Sequence, residues 1–600
     1  MRVKYRRLSL FFGLMTLHYA TGVPIYSAQD IELFSNQALQ ENEVSMSDKE
    51  AIRRGLLSEI MDAVEGVADI TQEVLSLILT PIRELIKLDQ EAITENPYRN
   101  EDAEVRVGCP ICDQELEFRE RRFPVVKRAQ EKLTQMELND EDVLEITFSG
   151  SGGGVRARTY SLGACVGADK IGLLDCITCM SGLSGSTWFL GPWISSGKPI
   201  QEFRDRGIRD TCDGIDIDHV EDFVPMFDAL WVKFAYGQTI NAIDLFGGWL
   251  ANNWLRGYAD SQHMVYLSDQ ADVIADGTFP LPVYTAVLAN RNMPNHWFEF
   301  TPFEVGSRWL SAYIPTWSFG RKFKRGDSRS SAPEQSLGFM MGIFGSAIAA
   351  SLEEAYGRVT DNLKFPKFLE GVPGAEKIFN ALKEMFQTLV NETDLGEVRF
   401  AWAQASNYVR KMRECNFNQK KNLKFADAGV DSNNPIFATY RNGRYGDAPD
   451  IIFVLDSSAT PGERPLSLAV EHAQRYNYKF PKIDIDESEI SQNACTVFGD
   501  IDDVETPLVV YMPRVVDEDL LWVYEDDPEL GHFVEQLKDF DMEEAVHGGF
   551  AGTFKFEYTW HQADLIANLA EFNMRSLRGH VRELMQKRIK AKRRAKQNEA

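Results

Sequence analysis

Two rhythms of apolar residues run through the chain. Short, nearly unbroken apolar runs predict strands at Val143–Phe148, Leu173–Ile177, Val283–Leu288, Ile451–Leu455 and Leu508–Tyr511. The run Ile451-Ile-Phe-Val-Leu455 has no polar alternation, as in a strand buried on both faces of a parallel sheet. Helical spacing lies between these runs, at Tyr160–Val166, Trp188–Trp193, Leu466–His472 and from Gln562 onward. Strands alternating with helices put the chain in the α/β class. Two stretches stand apart. Residues 29–104 carry an apolar stripe of Ile52, Leu56, Ile60, Val64 and Ala68 behind a helix start at Met46-Ser-Asp48, and predict a helical N-terminal extension. Residues 327–415 mix charge with few turn signals and predict a helical cap inserted into the α/β body.

Glycine-rich turns follow two of the strands. After Phe148 comes Ser149-Gly-Ser-Gly-Gly-Gly-Val-Arg-Ala157, and a glycine turn between strand and helix presents backbone N–H groups to an anion. The spacing is not the G-x-G-x-x-G of dinucleotide sites, and no Walker lysine follows. Further on, Gly182 and Gly185 bracket Ser184 between an apolar strand and the helix Trp188–Trp193, a variant of the nucleophile elbow. With Ser184 as nucleophile, the upstream loop reads as the binding place of an oxyanion rather than of a nucleotide phosphate.

A serine nucleophile needs a base. His472 is one candidate, with nothing local to distinguish it from a surface histidine. Asp427, at the end of Lys424-Phe-Ala-Asp427 and followed by Ala-Gly, is another, with Asn433-Asn-Pro435 supplying further turn signals. Asp456, ending Ile451–Asp456, is a third. A carboxylate is a weak base at its usual pKa of about 4, and burial raises that value.

The hydrophobic fraction of 44%, with 37 Phe and 11 Trp among 600 residues, supports a large core. A net charge of −26 argues against nucleic acid as a partner. Residues 1–28 combine Arg2, Lys4, Arg6 and Arg7 with the apolar run Leu8–Leu17. That pattern is signal-peptide-like, and it predicts export, secreted or periplasmic, with a cytoplasmic or membrane-anchored protein as the alternative. Cys109/Cys112 and Cys176/Cys179 are Cys-x-x-Cys pairs, open to a zinc site or, for the first, a disulfide or redox role; no metal is assigned to them. Residues 586–600 form a basic tail, read either as a solvated end or as a contact for anionic lipid. Trp309–Trp317, followed by Arg321, Lys322, Lys324 and Arg325, could seat the protein on a membrane or pack as core.

In order along the chain, ten segments resemble the group IV cytosolic phospholipase A2 and fungal lysophospholipase (phospholipase B) family. They are Cys112–Arg119, Gly150-Ser-Gly-Gly-Gly-Val-Arg156, Leu174–Cys176, Gly182-Leu-Ser-Gly-Ser-Thr-Trp188, Phe298–Gly306, Met341–Ala347, Asp427-Ala-Gly429, Asp456–Ala459, Phe480–Asp484 and Phe554–Tyr558. The resemblance covers residues 105–585 and implies a patatin-like acyl hydrolase core, a mixed central sheet flanked by helices. It further implies Ser184 as nucleophile, Asp427 as base, Gly153 and Gly154 as oxyanion donors and Arg156 as the ligand of the lipid phosphate. The implied chemistry is hydrolysis of a phospholipid acyl ester at a membrane surface through an acyl-serine, with no cofactor. An acyltransferase or general esterase on the same dyad, and a non-catalytic lipid-binding member, are the alternatives. Residues 29–104 leave no room for the calcium-binding C2 domain of cytosolic members. The acidic cluster Asp213, Asp216, Asp218, Glu221 and Asp222 lacks EF-hand spacing, so calcium-independent activity is expected.

Overall fold

The structure, a computed structural model, describes residues 96–599 except Cys109, 213–228, most of 230–241, 260, 289–295, 350–402, 442–447, 460–464 and 484–491. Nearly all described residues belong to one compact unit formed by Tyr98–Asp216, Ile243–Ser351 and Phe400–Ala600. The helical extension lies outside the described residues up to position 95, as does the acidic cluster at 213–222.

A twelve-stranded mixed sheet runs through this unit. Its strands are β1 (Arg106–Val107), β2 (Ile146–Gly150), β3 (Ile177–Gly182), β4 (Leu281–Leu288), β5 (His296–Phe300), β6 (Glu304–Ser307) and β7 (Ala312–Pro315). After the small pair β8 (Phe323–Lys324) and β9 (Asp327–Ser328) come β10 (Ala403–Ser406), β11 (Asn422–Ala426), β12 (Ile451–Asp456), β13 (Thr496–Phe498) and β14 (Leu508–Pro513). The spatial order is β1-β7-β6-β5-β4-β3-β2-β12-β14-β13, with β10 and β11 branching off β4. Strands β4, β3, β2, β12 and β14 are parallel neighbours; the other pairings are antiparallel. Every residue of β12 is buried, as its unbroken apolar run requires. The expected strand at Leu173–Ile177 is displaced. Leu174–Cys176 form a 3-10 turn and the strand begins at Ile177, because Thr178, Cys179 and Ser181 are small enough to continue it to the elbow.

Seven helices matter for the site: α1 (Asp113–Thr134), α2 (Val155–Lys170), α3 (Gly185–Ser196), α4 (Leu337–Phe344), α5 (Pro465–Tyr476), α6 (Trp560–Ser576) and α7 (Arg578–Glu599). α2 is buried from Val155 to Ala168 and packs most extensively on α6. A Cβ on Gly163 would lie 2.0 Å from the carbonyl oxygen of Ala567, so only glycine permits this approach. In α1, Glu115 pairs with the buried Arg441, which also reaches Glu299 at 2.7 Å, and Arg119 pairs with Glu145 at 2.9 Å. These contacts anchor the first resembling segment, Cys112–Arg119, beneath the sheet.

Three expectations change here. The described ends of the cap, 327–349 and 403–415, are part of the body: α4 is wholly buried and β10 joins the sheet; residues 350–402 lie outside the described ones. The basic tail is a packed helix. Arg588, fully buried, donates to the carbonyls of Asp503 and Thr506 at 2.7 Å each. Lys592 meets Asp450 at 2.9 Å, Arg593 meets Asp142 at 2.9 Å, and Arg594 pairs with Asp502. An acidic body thus binds its own basic end. The aromatic run also turns inward: Trp317 stacks on Tyr98 at 4.5 Å, and Trp309 stacks on His296 at 3.6 Å. Arg321 is buried and donates to the carbonyls of Ala332, Glu101 and Tyr98, so it is not a surface charge.

Candidate active site

The ends of β2, β3 and β12 are level with one another, the place where an open parallel sheet collects a ligand. The glycine loop leaves β2 there and the elbow leaves β3. β11 runs antiparallel to β4, pairing Phe425 with Leu288 and Ala426 with Val287. Its end therefore carries Asp427 back towards Tyr284, the residue beside Gly182. Strand direction alone brings a serine and an aspartate more than two hundred positions apart to one spot.

Ser184 has φ 49 and ψ −125 and forms the N-cap of α3. A non-glycine residue held at positive φ is strained, and the surroundings must hold it there. One hold is Ser184 N–H, which donates to Phe344 O at 3.1 Å. Another is Ser186, whose Oγ accepts from Leu183 N–H at 3.0 Å and donates to Gly150 O at 2.9 Å. The Ser184 hydroxyl faces Asp427 closely enough to pull the pKa of its carboxyl down. Asp427 is 1% exposed, and burial pushes its carboxyl up to about 6, against the opposing pull of Gly429 N–H, the Ser184 hydroxyl and Ala347 N–H. Gly429 N–H donates to Asp427 Oδ1 at 2.8 Å, and Asp427 N–H donates to Ser346 Oγ at 2.8 Å. A carboxylate placed in this way is buried enough to gain strength as a base yet bonded enough to keep its direction.

Two helix N-termini converge on this pair, since α2 begins at Val155 and α3 at Gly185. A Cβ on Gly185 would lie 2.0 Å from Gly154 O, so the two turns touch backbone to backbone. Among the described residues, no acceptor takes the N–H of Gly153, Gly154 or Gly185. Donors of this kind, with two helix dipoles behind them, suit a developing oxyanion. Gly153 and Gly154 were expected from the sequence; Gly185 was not, although the residue after an elbow nucleophile is a usual donor.

Arg156 sits in the first turn of α2 and is fully buried. Its Nε donates to Ser457 O at 2.8 Å and its Nη1 to Ala551 O at 2.6 Å. The guanidinium expected to bind the lipid phosphate thus also bonds protein groups, two carbonyls and, from Nη2, Thr553 Oγ1 at 3.4 Å. His472, on α5, pairs with Asp431 at 3.1 Å rather than with Ser184 or Asp427. Asp456 accepts from Ser458 and from Tyr511 and is a turn-maker. Cys176 and Cys179 are separate free thiols, donating to Gly172 O and Thr439 O, and Cys109 lies outside the described residues. Among the described residues no group of three or more His, Cys, Asp or Glu is placed to hold a metal ion. The sequence reading gave no role to Phe344 and Ser346, although Met341–Ala347 was one of the resembling segments.

The model of the lysophospholipase catalytic domain family matches residues 146–492, a span that holds the glycine loop, Ser184 and Asp427. The chain belongs to that family. Cytosolic phospholipase A2 zeta of Homo sapiens is 25% identical over 476 residues, covering 69% of this chain and 54% of that protein. The same enzyme of Mus musculus is 24% identical over 567 residues, covering 82% and 63%. Cytosolic phospholipase A2 epsilon of Homo sapiens is 24% identical, covering 83% and 62%. This lysophospholipase-family chain thus spans between half and two-thirds of the length of these relatives. The solved structure of human GIVD cytosolic phospholipase A2 has the same fold, with a TM-score of 0.67 at 19% identity, covering 82% of this chain and 69% of that one. The patatin-like α/β architecture expected from the sequence is the one observed. Each relative is named cytosolic, which overturns the expectation of export read from residues 1–28; those residues lie outside the described ones. Among the described residues no helix is long and apolar enough to cross a membrane.

Proposed function

We propose that this family member hydrolyses fatty-acyl esters of glycerophospholipids, as a phospholipase A2 or lysophospholipase, by a Ser184–Asp427 dyad. The observation that carries the reading is a buried aspartate, its carboxyl raised to about 6, set facing a strained, N-capping serine whose hydroxyl pulls that value down. Asp427 takes the proton of Ser184 as Oγ attacks the ester carbonyl. The N–H groups of Gly153, Gly154 and Gly185 take the negative charge, each worth about 3 kcal/mol if typical of oxyanion donors. The alcohol leaves with the proton from Asp427, and water then cleaves the acyl-serine.

Arg156 holds the carbonyls of Ser457 and Ala551 against the glycine loop, and so keeps the donors aimed. Proton transfer and charge stabilisation are both supplied by protein groups, so the chemical step runs without calcium. The substrate is presented at a lipid surface, and no C2 domain is needed for the chemistry.

The relative solved with methyl gamma-linolenyl fluorophosphonate supplies the probe. An alkyl fluorophosphonate should label wild-type protein once, at Ser184, and leave Ser184→Ala unlabelled. Fatty acid should be released from labelled phosphatidylcholine by the wild type in the presence of EDTA, and by neither Ser184→Ala nor Asp427→Ala. Full activity in Ser184→Ala would falsify the mechanism, and loss of wild-type activity in EDTA would refute calcium independence.

A further inference from the structure

Asn433 lies in the wall between the glycine loop and the turn that carries Asp427. Its backbone carbonyl accepts Gly152 N–H at 3.2 Å. Its side-chain Nδ2 donates to Ser458 Oγ at 2.7 Å and reaches Gly152 O at 3.4 Å. A chain of bonds behind it fixes which way the amide points. Tyr511 OH donates to Asp456 Oδ2 at 2.5 Å, and Ser458 Oγ donates to Asp456 Oδ1 at 2.6 Å. With its proton spent on Asp456, the Ser458 oxygen must accept, and Gly152 O can only accept. The group facing both is therefore the NH₂ of Asn433.

The amide oxygen points the other way, and no described donor reaches it. A Cβ built on Gly152 would lie 2.5 Å from Asn433 Oδ1 and 3.1 Å from Ser184 Cβ. A Cβ built on Gly429 would lie 3.4 Å from the same oxygen and 3.1 Å from Asp427 Oδ1. One unspent acceptor thus borders both members of the dyad.

We propose that Asn433 is a third catalytic residue, whose Oδ1 holds the water that cleaves the acyl-serine. The inference rests on the Ser184–Asp427 mechanism. An alcohol has one O–H, and Asp427 alone can direct it. Water has two, and with a single acceptor it is free to turn its lone pair away from the acyl carbon. Held by Asp427 and Asn433 together, its oxygen faces that carbon. The water oxygen bonds to the carbon as one proton passes to Asp427. The other proton, held by Asn433, stays on the oxygen that becomes the fatty-acid hydroxyl. Collapse breaks the bond to Ser184 Oγ, and Asp427 returns its proton to that oxygen.

Acylation and deacylation can be measured separately with a nitrophenyl ester of a labelled fatty acid, following nitrophenol release in a single turnover and fatty-acid release afterwards. In Asn433→Ala, acylation should stay within about twofold of wild type while deacylation falls about tenfold, the rate equivalent of one hydrogen bond. Added methanol should capture a larger share of the acyl group than in wild type. Ser458→Ala, which leaves Asn433 in place but frees its amide to rotate, should shift both readouts the same way by a smaller factor. Equal loss in both steps, or an unchanged share to methanol in both variants, overturns the proposal. An acyl-enzyme formed normally by Ser184→Ala would instead sink the dyad on which it rests.

Discussion

Ser346 Oγ accepts the backbone N–H of Asp427 at 2.8 Å, two residues after Phe344, whose carbonyl accepts Ser184 N–H at 3.1 Å. One short segment therefore holds both members of the proposed dyad by their main chains, and sets their separation. Ser346→Ala removes the hold on the base without touching either reactive group. Hydrolysis of a soluble ester should show kcat lowered about tenfold with KM within twofold. Ser346→Thr, which keeps a hydroxyl, should restore part of the rate.

The raised carboxyl of Asp427 dictates a pH profile. As the proposed base, Asp427 must be ionised, and burial raises its pKa to about 6. The kcat/KM of the wild type should fall about tenfold per pH unit below 6 and level off above it. A profile with no limb near 6 would assign the base elsewhere.

That carboxyl also affects stability. In the unfolded chain Asp427 ionises at its ordinary 3.8, and in the folded chain at about 6. Between those values the folded state binds more protons, so stability falls as pH rises through the window, by about 2–3 kcal/mol in full. Asp427→Asn, which cannot ionise, should be inactive yet more stable than wild type at pH 7 in denaturant titrations. The difference should shrink towards pH 4.

Arg156 separates two roles by kinetics. Bonded to Ser457 O and Ala551 O, it acts on the glycine loop from within the protein. Arg156→Lys should lower kcat by a similar factor on a phospholipid and on a phosphate-free ester. An effect confined to KM for the phospholipid would assign the guanidinium to the headgroup instead.

At Gly163 a methyl group has no room, being 2.0 Å from Ala567 O. Gly163→Ala should separate α2 from α6 and cost about 3 kcal/mol in unfolding free energy. Activity should fall with it, because α2 carries the glycine loop of the proposed oxyanion donors at its start.

The elbow, the glycine loop and Asp427 were legible because strain, close approach and helix starts demand particular residues. Gly185 touches Gly154, and only glycine fits there. The carbonyl-binding of Arg156 was not legible, since its partners Ser457 and Ala551 are brought in by tertiary packing from distant parts of the chain. Ser346 escaped for the same reason: a buried hydroxyl in an apolar helix segment reads as ordinary until its partner is known. The basic end misled because seven positive charges in ten residues look solvated in one dimension. Their carboxylate and carbonyl partners at positions 137–142, 450 and 500–506 appear only in the fold.

The contact of α2 with α6, and the grip of Arg588 and Arg593 on earlier segments, bear on the order of events at the ribosome. The proposed nucleophile Ser184, the glycine loop and the proposed base Asp427 all emerge before residue 430. The helix that backs them, Trp560–Ser576, and the arginines that fasten the next helix down come only after position 560. A nascent chain therefore exposes the apolar wall of α2 until Trp560–Ser576 has been made, a period in which such surfaces need protection. A chain cut before Trp560 would carry Ser184 and the glycine loop without the helix that packs on α2, and should release no fatty acid.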